Sequence, residues 1–466
     1  SEMKILNKNM SLLFFLVFLT AGQAHSQYYF GQNKIQYNTF DWHILKTEHF
    51  EIYYYPEMDS LAEIGGYYAE EAYTFLQNKM NHSITEPVPL IFYSSHFHFQ
   101  ETNVYPYLIN PAMGGFFEFL KGRVVVPCDG SLPRFRKTIR HELVHVFQKS
   151  YVQRVMKDHG KEIFRDVPLW FSEGLAEWWS EGWTSQAELF MKDLLMNKRA
   201  VPLQHMGSIW GTYAMYKEGQ SVLKYISETY GEEAILRLLQ NTWKRDNFTD
   251  IMKLTLGHGY EGLSKKWLYS LEKEYYPQLS ENDLPHAVST TITREGFNFR
   301  PCYVMADSQE AVIFTANRDG YTSIYKKRLL PPDSSRPELV IRGSDRPAYE
   351  SLHPQKSSID VYQNRFLLFS AKSGGSDVIY NIDLKENRIV SSLSFPDLVT
   401  VYSPSWSPEG NSIAFEGIDI SGKSDLYIFS FADSVLTRIT SDFYEDNDPA
   451  WSPDGRYICF SSDRAE

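Results

Sequence analysis

His141-Glu142-Leu143-Val144-His145 sets two imidazoles four residues apart with a carboxylate between them. On a helix, side chains at that spacing leave one face toward a common point. A further carboxylate, Glu173, follows in Ser172-Glu173-Gly174-Leu175-Ala176-Glu177. Two neutral imidazoles and one carboxylate from a second element make a three-donor zinc site whose fourth position stays open for water. Glu142 sits beside that open position and can take the proton from the water. The pattern reads as a zinc hydrolase, with His141, His145 and Glu173 on the metal and Glu142 as base.

The elements that must hold these groups are legible around them. Ser131 is a plausible N-cap and Pro133 falls in the first turn, so the motif lies well inside a helix. Leu143, Val144, Val146 and Phe147 make that helix buried, and buried polar side chains need the partner a metal supplies. Asp166-Val167-Pro168 predicts a second helix running through Trp179, with Glu173 and Glu177 on one face and Gly174 allowing close approach of another helix. Gly122 to Pro127, Phe50 to Tyr55 and Val88 to Tyr93 read as strands, and Asp59 to Met80 as an amphipathic helix. Helical periodicity returns over Ser221 to Glu228, Glu232 to Gln240 and Gly262 to Glu274. An α+β domain over residues 27–278 is expected. His96 and His98 are expected to line a turn or cleft rather than to bind metal.

At His141, Glu142, His145 and the E-G-x-A-E segment the chain resembles the gluzincin branch of the zincin metallopeptidases. The resemblance implies Glu173 as third ligand and Glu177, one turn on, as the acid that orients a ligand histidine. Met215 to Tyr225 is similar to the tyrosine-x-x-glycine helix start of aminopeptidase N-type gluzincins, which implies that the Tyr216 hydroxyl stabilises the oxyanion, with Tyr213 as the fallback. In zincins the strand before the metal helix is a sheet edge that binds the substrate backbone, here Gly122 to Pro127. Pro111 to Phe116 is expected along the same cleft. It carries no acid to hold a free amine, so endo- and exopeptidase activity both stay open.

Residues 279–296 lose helical periodicity and read as a linker. Beyond them, Ser405-Trp406-Ser407-Pro408-Glu409-Gly410 and Ala450-Trp451-Ser452-Pro453-Asp454-Gly455 repeat, with tryptophans 45 residues apart. Phe369 precedes Phe415 by a similar interval, and Phe314 to Gly320 opens a fourth copy. That period, with a tight turn between strands, marks β-propeller blades. The W-S-P-[DE]-G turns resemble TolB-type propellers, implying tryptophan and phenylalanine packed between blades. About three and a half blades fit residues 297–466, so the propeller is expected to be partial.

With 466 residues, two or three units are expected. A formal charge of −12 argues against nucleic acid or an anionic membrane surface as the main partner. Ser1-Glu2 reads as an appended remnant. Met3 to Lys8 is a basic start, Leu12 to Leu19 an apolar run too short to span a bilayer, and cleavage is expected after Ser26. The mature chain should therefore be exported without a transmembrane anchor, to the periplasm or outer envelope of a Gram-negative bacterium or to the medium. Cys128, Cys302 and Cys459 give no disulfide framework. The reading is an exported zinc-dependent peptidase whose partners are peptide substrates and, through the propeller, an envelope protein. The alternative is a non-enzymatic envelope assembly protein with a structural zincin domain.

Overall fold

Two textures of sequence fold as two architectures. The computed structural model describes residues 35–161, 167–280, 282–318, 320–329, 336–343 and 347–464. The expected leader and Asp166 lie outside them.

The first region opens with β1 (His43–Lys46), β2 (Phe50–Tyr54), helix α1 (Asp59–Met80), β3 (Val88–Tyr93), β4 (Phe116–Glu118) and β5 (Arg123–Pro127). They form one sheet in the order β1-β2-β3-β5-β4, with β2, β3 and β5 parallel and the two outer strands antiparallel. Val124, Val125 and Val126 are all fully buried, as expected of a central strand covered on both faces. The expectation that this strand forms the sheet edge is therefore corrected: β4 lies outside it. Glu118 is the reason. Its carboxylate accepts the backbone N–H groups of Leu120 and Lys121 and pairs with Arg123 at 3.1 Å, closing a tight return onto β5. Three residues of strand are too few to register as a period.

Helices follow: α2 (Leu132–Asp158), α3 (Leu169–Glu181), α4 (Ser185–Met196), α5 (Tyr213–Tyr230), α6 (Glu233–Gln240), α7 (Phe248–Leu256) and α8 (Tyr260–Tyr275). Ser131 caps α2 by accepting the Arg134 N–H. The start of α3 falls later than expected because Pro168, in extended conformation, is its N-cap. By contrast, α5 begins well before Ser221, where Thr212 accepts the Met215 N–H. Helices α3 and α5 cross in backbone contact at Gly174 and Gly219. A Cβ on Gly174 would collide with the Gly219 backbone, and one on Gly219 with the Trp170 carbonyl.

Among the described residues the second region builds four antiparallel sheets. The first holds β6 (Phe297–Ala306), β7 (Gln309–Asn317), β8 (Thr322–Arg328) and β9 (Glu338–Ile341). In the second, β10 (Ser351–Leu352) and β11 (Asp360–Tyr362) both pair with β12 (Phe366–Ser373), followed by β13 (Ser376–Asp383) and β14 (Arg388–Leu393). The third holds β15 (Leu398–Trp406), β16 (Ser412–Asp419), β17 (Ser424–Ser430) and β18 (Val435–Arg438), and the fourth β19 (Asp446–Trp451) and β20 (Ile458–Ser462). This is a partial propeller joined to an α+β domain. Phe314, Phe369, Phe415 and Phe460 occupy the corresponding strands β7, β12, β16 and β20. Trp406 lies between sheets: its ring is 5.5 Å from Tyr362, and its indole N–H donates to the Phe366 carbonyl. Gly410 and Gly455 take φ of 69° in the tight turns, a conformation that favours glycine. The expected linker contains a short helix, Pro285–Val288.

Where the four sheets converge, Asp448 gathers Arg300 of β6, Ser403 of β15 and Ser358, which lies just before β11. It accepts the Ser403 hydroxyl at 2.6 Å and the Ser358 hydroxyl at 3.1 Å, and pairs with Arg300 at 2.9 Å. Arg300, Ser403 and Asp448 sit in left-handed conformation at register shifts of β6, β15 and β19. A bulge recurs at this position in three of the four sheets.

Two outcomes follow from the helical core. Gly219→Ala forces α3 and α5 apart and should lower unfolding free energy by roughly 1–3 kcal/mol, read from denaturant titration. Glu218 is fully buried, and one oxygen accepts the Val201 N–H while the other has no partner among the described residues. Burial pushes its pKa from the ordinary 4.5 up to about 8. The native state thus holds a proton that the unfolded chain releases, and stability falls as pH rises from about 4.5 to about 8. Glu218→Gln removes this term, so its gain in Tm should be larger at pH 8 than at pH 5.

Candidate metal centre and catalytic cleft

Helices α2 and α3 pack antiparallel, and each presents a row of polar groups one turn apart. On α2 the row is Lys137, His141 and His145; on α3 it is Glu181, Glu177 and Glu173. The rows match in reverse order. Lys137 meets Glu181 at 2.7 Å, His141 Nδ1 meets Glu177 at 3.4 Å, and His145 Nε2 meets Glu173 at 3.3 Å.

Both Nε2 atoms converge on Glu173 Oε2, that of His141 at 3.4 Å. The three donor atoms lie within 4.8 Å of one another. Donors placed about 2.1 Å from a tetrahedral ion stand about 3.4 Å apart. The same Glu173 oxygen is buried and has no hydrogen-bond partner among the described residues. A divalent cation fits this donor set and supplies the partner that oxygen needs. The outward nitrogens are held separately: His141 Nδ1 by Glu177, and His145 Nδ1 by Ser172 Oγ at 3.2 Å, which in turn donates to Gln148. Burial acts to lower the His141 pKa, but Glu173 and Glu177 outweigh it and raise it to about 10.

Glu142 is buried beside the two histidines. Burial pushes its pKa up, and the imidazoles act against that. Gly115 covers it: a Cβ there would stand 3.3 Å from Glu142 Oε1 and 3.0 Å from Thr138 Cγ2. The Pro111 to Phe116 stretch therefore lies along this cleft. Tyr216, near the start of α5, is half-buried with its hydroxyl among the same carboxylates. Burial first, then Glu173 and Glu142, raises its pKa well above the ordinary phenol range, so it stays a proton donor. Tyr213 is 48% exposed and packs against Phe190, apart from Glu173.

Lys217 was not singled out by the sequence, although it sits next to Tyr216. It is 2% exposed and donates to Glu177 at 2.6 Å, Glu181 at 2.8 Å and Gln220 at 3.1 Å. Extending the His141–His145 spacing one turn back reaches Lys137, and extending Glu173–Glu177 one turn on reaches Glu181. That signal would have found both. Nothing local marks Lys217, whose role depends on the glycine crossing.

His96 and His98 are both buried. His98 Nδ1 lies 2.8 Å from the Tyr55 hydroxyl, His96 Nε2 lies 3.1 Å from the Met113 carbonyl, and burial lowers both pKa values, to about 4 and about 3. His96 lines a cavity wall, whereas His98 is packed inside against Tyr55 and Phe40, and neither joins a metal-competent group among the described residues. The other carboxylate cluster, Asp425, Asp442 and Asp446, is already taken by Arg438 and Arg464. Among the described residues no helix is long and apolar enough to cross a membrane.

Residues 68–273 match the model of the Peptidase MA superfamily, and residues 366–466 that of the TolB beta propeller domain. Among curated proteins, the Tol-Pal system protein TolB of Alcanivorax borkumensis is 31% identical over 64 residues, covering 14% of this chain and 15% of that protein. TolB of Francisella tularensis subsp. holarctica is 28% identical over 121 residues, covering 26% of each. The match thus spans about a quarter or less of these relatives' length. The crystal structure of TolB from Acinetobacter baumannii aligns with a TM-score of 0.29 at 17% identity, covering 35% of this chain and 37% of that one.

Glu177→Gln keeps the shape of the contact to His141 Nδ1 and removes its charge. Zinc affinity, measured by competition with a chelator, should fall about 10–100-fold while the circular dichroism spectrum is kept.

Proposed function

We propose that this chain is an exported zinc-dependent peptidase that hydrolyses peptide bonds with Glu142 as general base. The observation that carries the reading is the Glu173 oxygen, buried without a hydrogen-bond partner and met by two imidazole Nε2 atoms at 3.3 and 3.4 Å. The Peptidase MA superfamily match over the same residues supports it, and the basic start and apolar run before Ser26 support export.

In this reading His141, His145 and Glu173 hold zinc. When bound, zinc supplies an acidified water and an electrophile for the substrate carbonyl. Glu142 accepts the proton from the attacking water and passes it to the departing amine. Its burial favours that return, since a desolvated carboxylate is a stronger base than one in water. Tyr216 keeps its proton at any working pH and donates its O–H to the carbonyl oxygen as negative charge develops there. Glu177, fixed by Lys217 and Lys137, holds the His141 ring and its Nδ1–H. The free side of β4 offers backbone groups to an extended peptide. The propeller limits access to the cleft and offers a docking face to an envelope protein.

The test is zinc content and peptide-library cleavage for wild type and Glu142→Gln. Wild type should carry stoichiometric zinc and cleave. Glu142→Gln should keep the zinc and lose roughly 10²–10⁴-fold in kcat. Zinc-loaded wild type that cleaves nothing in the library would defeat the peptidase reading, and the cleavage positions separate endo- from exopeptidase.

A further inference from the structure

A cavity of about 470 Å³ lies between the first domain and the converging strands of the propeller. Met113, Gly114 and Thr138 form its near wall. Thr138 stands one turn before Glu142 on α2, and Gly115 packs against both, so the near wall of the cavity adjoins the catalytic cleft. The far wall belongs to the propeller and includes Arg300, Lys356, Glu416, Glu445 and Asp448.

The charges on these walls pair off with one remainder. Arg134 pairs with Glu445 at 2.7 Å, Arg300 with Asp448 at 2.9 Å, and Lys356 with Asp129. Glu416 is the carboxylate left over. It is 4% exposed, one oxygen accepts the Ser424 hydroxyl at 2.9 Å, and no cation lies within ion-pair distance among the described residues. A carboxylate kept from water without a counter-charge is costly, and an arriving cation relieves that cost. Burial and the neighbouring Glu445 push its pKa up to about 8, with Ser424 and Lys356 acting against them, in keeping with a missing cation.

We propose that this cavity is a subsite that receives a cationic group of the substrate, an alkylammonium or guanidinium, on Glu416. The substrate follows from the peptidase reading, while the ligand chemistry stands on the cavity alone. The group is either a lysine or arginine side chain or a free amino terminus. A carboxylate from the propeller thereby supplies what the Pro111 to Phe116 stretch lacks.

The experiment uses the full chain carrying Glu142→Gln, zinc-supplemented, and fluorescent peptides titrated by anisotropy. One pair is acetylated and differs only by lysine against norleucine. A second pair lacks basic residues and differs by a free against an acetylated amino terminus. One pair should show at least about tenfold tighter binding of the cationic member, the size of one charge-assisted hydrogen bond. That ratio should fall to near one when Glu416→Gln is added. The pair that discriminates identifies the source of the cation. Equal binding within both pairs overturns the proposal, and this comparison needs no change at Glu416. A ratio that survives in folded Glu416→Gln overturns it as well. Wild-type cleavage is measured in parallel. A binding ratio without cleavage removes the peptidase reading and leaves the subsite, whereas cleavage without a ratio removes the subsite and leaves the peptidase.

Discussion

Three carboxylates one helical turn apart, Glu173, Glu177 and Glu181, face inward from α3, and their partial burial dictates much of the first domain. Their side chains are only 12%, 10% and 16% exposed. Carboxylates in that position need positive charge or strong donors brought to them. Helix α2 answers along one side with Lys137, His141 and His145. Helix α5 answers from the other with Lys217, which reaches Glu177 and Glu181 because α5 touches α3 at Gly174 and Gly219. Remove the glycine crossing and Lys217 loses its reach, and Tyr216 on the preceding position moves with it. The contact that neutralises the outer carboxylates is thus the one that sets the phenol beside Glu173. Charge compensation and cleft geometry are a single packing event.

The same helix that carries the two histidines also joins the domains. Ser131 caps α2 and donates to Asp463 of the propeller at 3.0 Å, while Arg134 in the first turn pairs with Glu445. Acidic groups from the second domain therefore sit at the positive end of the helix, where its dipole favours them. Alongside, Gly130 bridges Lys423, Lys356 reaches Asp129, and Tyr37 donates to Glu350 at 2.7 Å. The propeller rests on the start of the motif helix, not on a remote face, so its residues become walls of the space in front of the cleft.

What was legible in the sequence follows the range of the interactions. The motif helix, its Ser131 cap, α1 from Asp59 to Met80 and β3 from Val88 to Tyr93 rest on local periodicity and capping, and all were readable. The 45-residue repeat was readable because a propeller blade is a local unit. The contacts that escaped are long-range or short in chain. β4 has three residues and exists because Glu118 closes its turn. Lys217 looks like any helix lysine until α5 is laid against α3. The start of α5 at Tyr213 rests on the Thr212 cap rather than on apolar period, which is why Ser221 marked the first clear signal.

The propeller illustrates how a repeated backbone leaves chemistry free. At the convergence of the sheets, Ser358, Ser403 and Asp448 recur 45 residues apart, and Arg300 occupies the corresponding place in the first sheet. Bulges fix three of these positions in left-handed conformation, so the backbone geometry is set by the fold and not by the residue each presents. One position carries a guanidinium, two carry hydroxyls and one a carboxylate. The repeat therefore sets equivalent backbone positions whose residues can differ in charge without altering the sheets behind them. In the first domain the opposite holds: Lys137, His141 and His145 cannot change independently of Glu181, Glu177 and Glu173, because each neutralises a group on the facing helix. Charge is locked into the helix pair, whereas the facing wall of the propeller varies its charge on a fixed backbone.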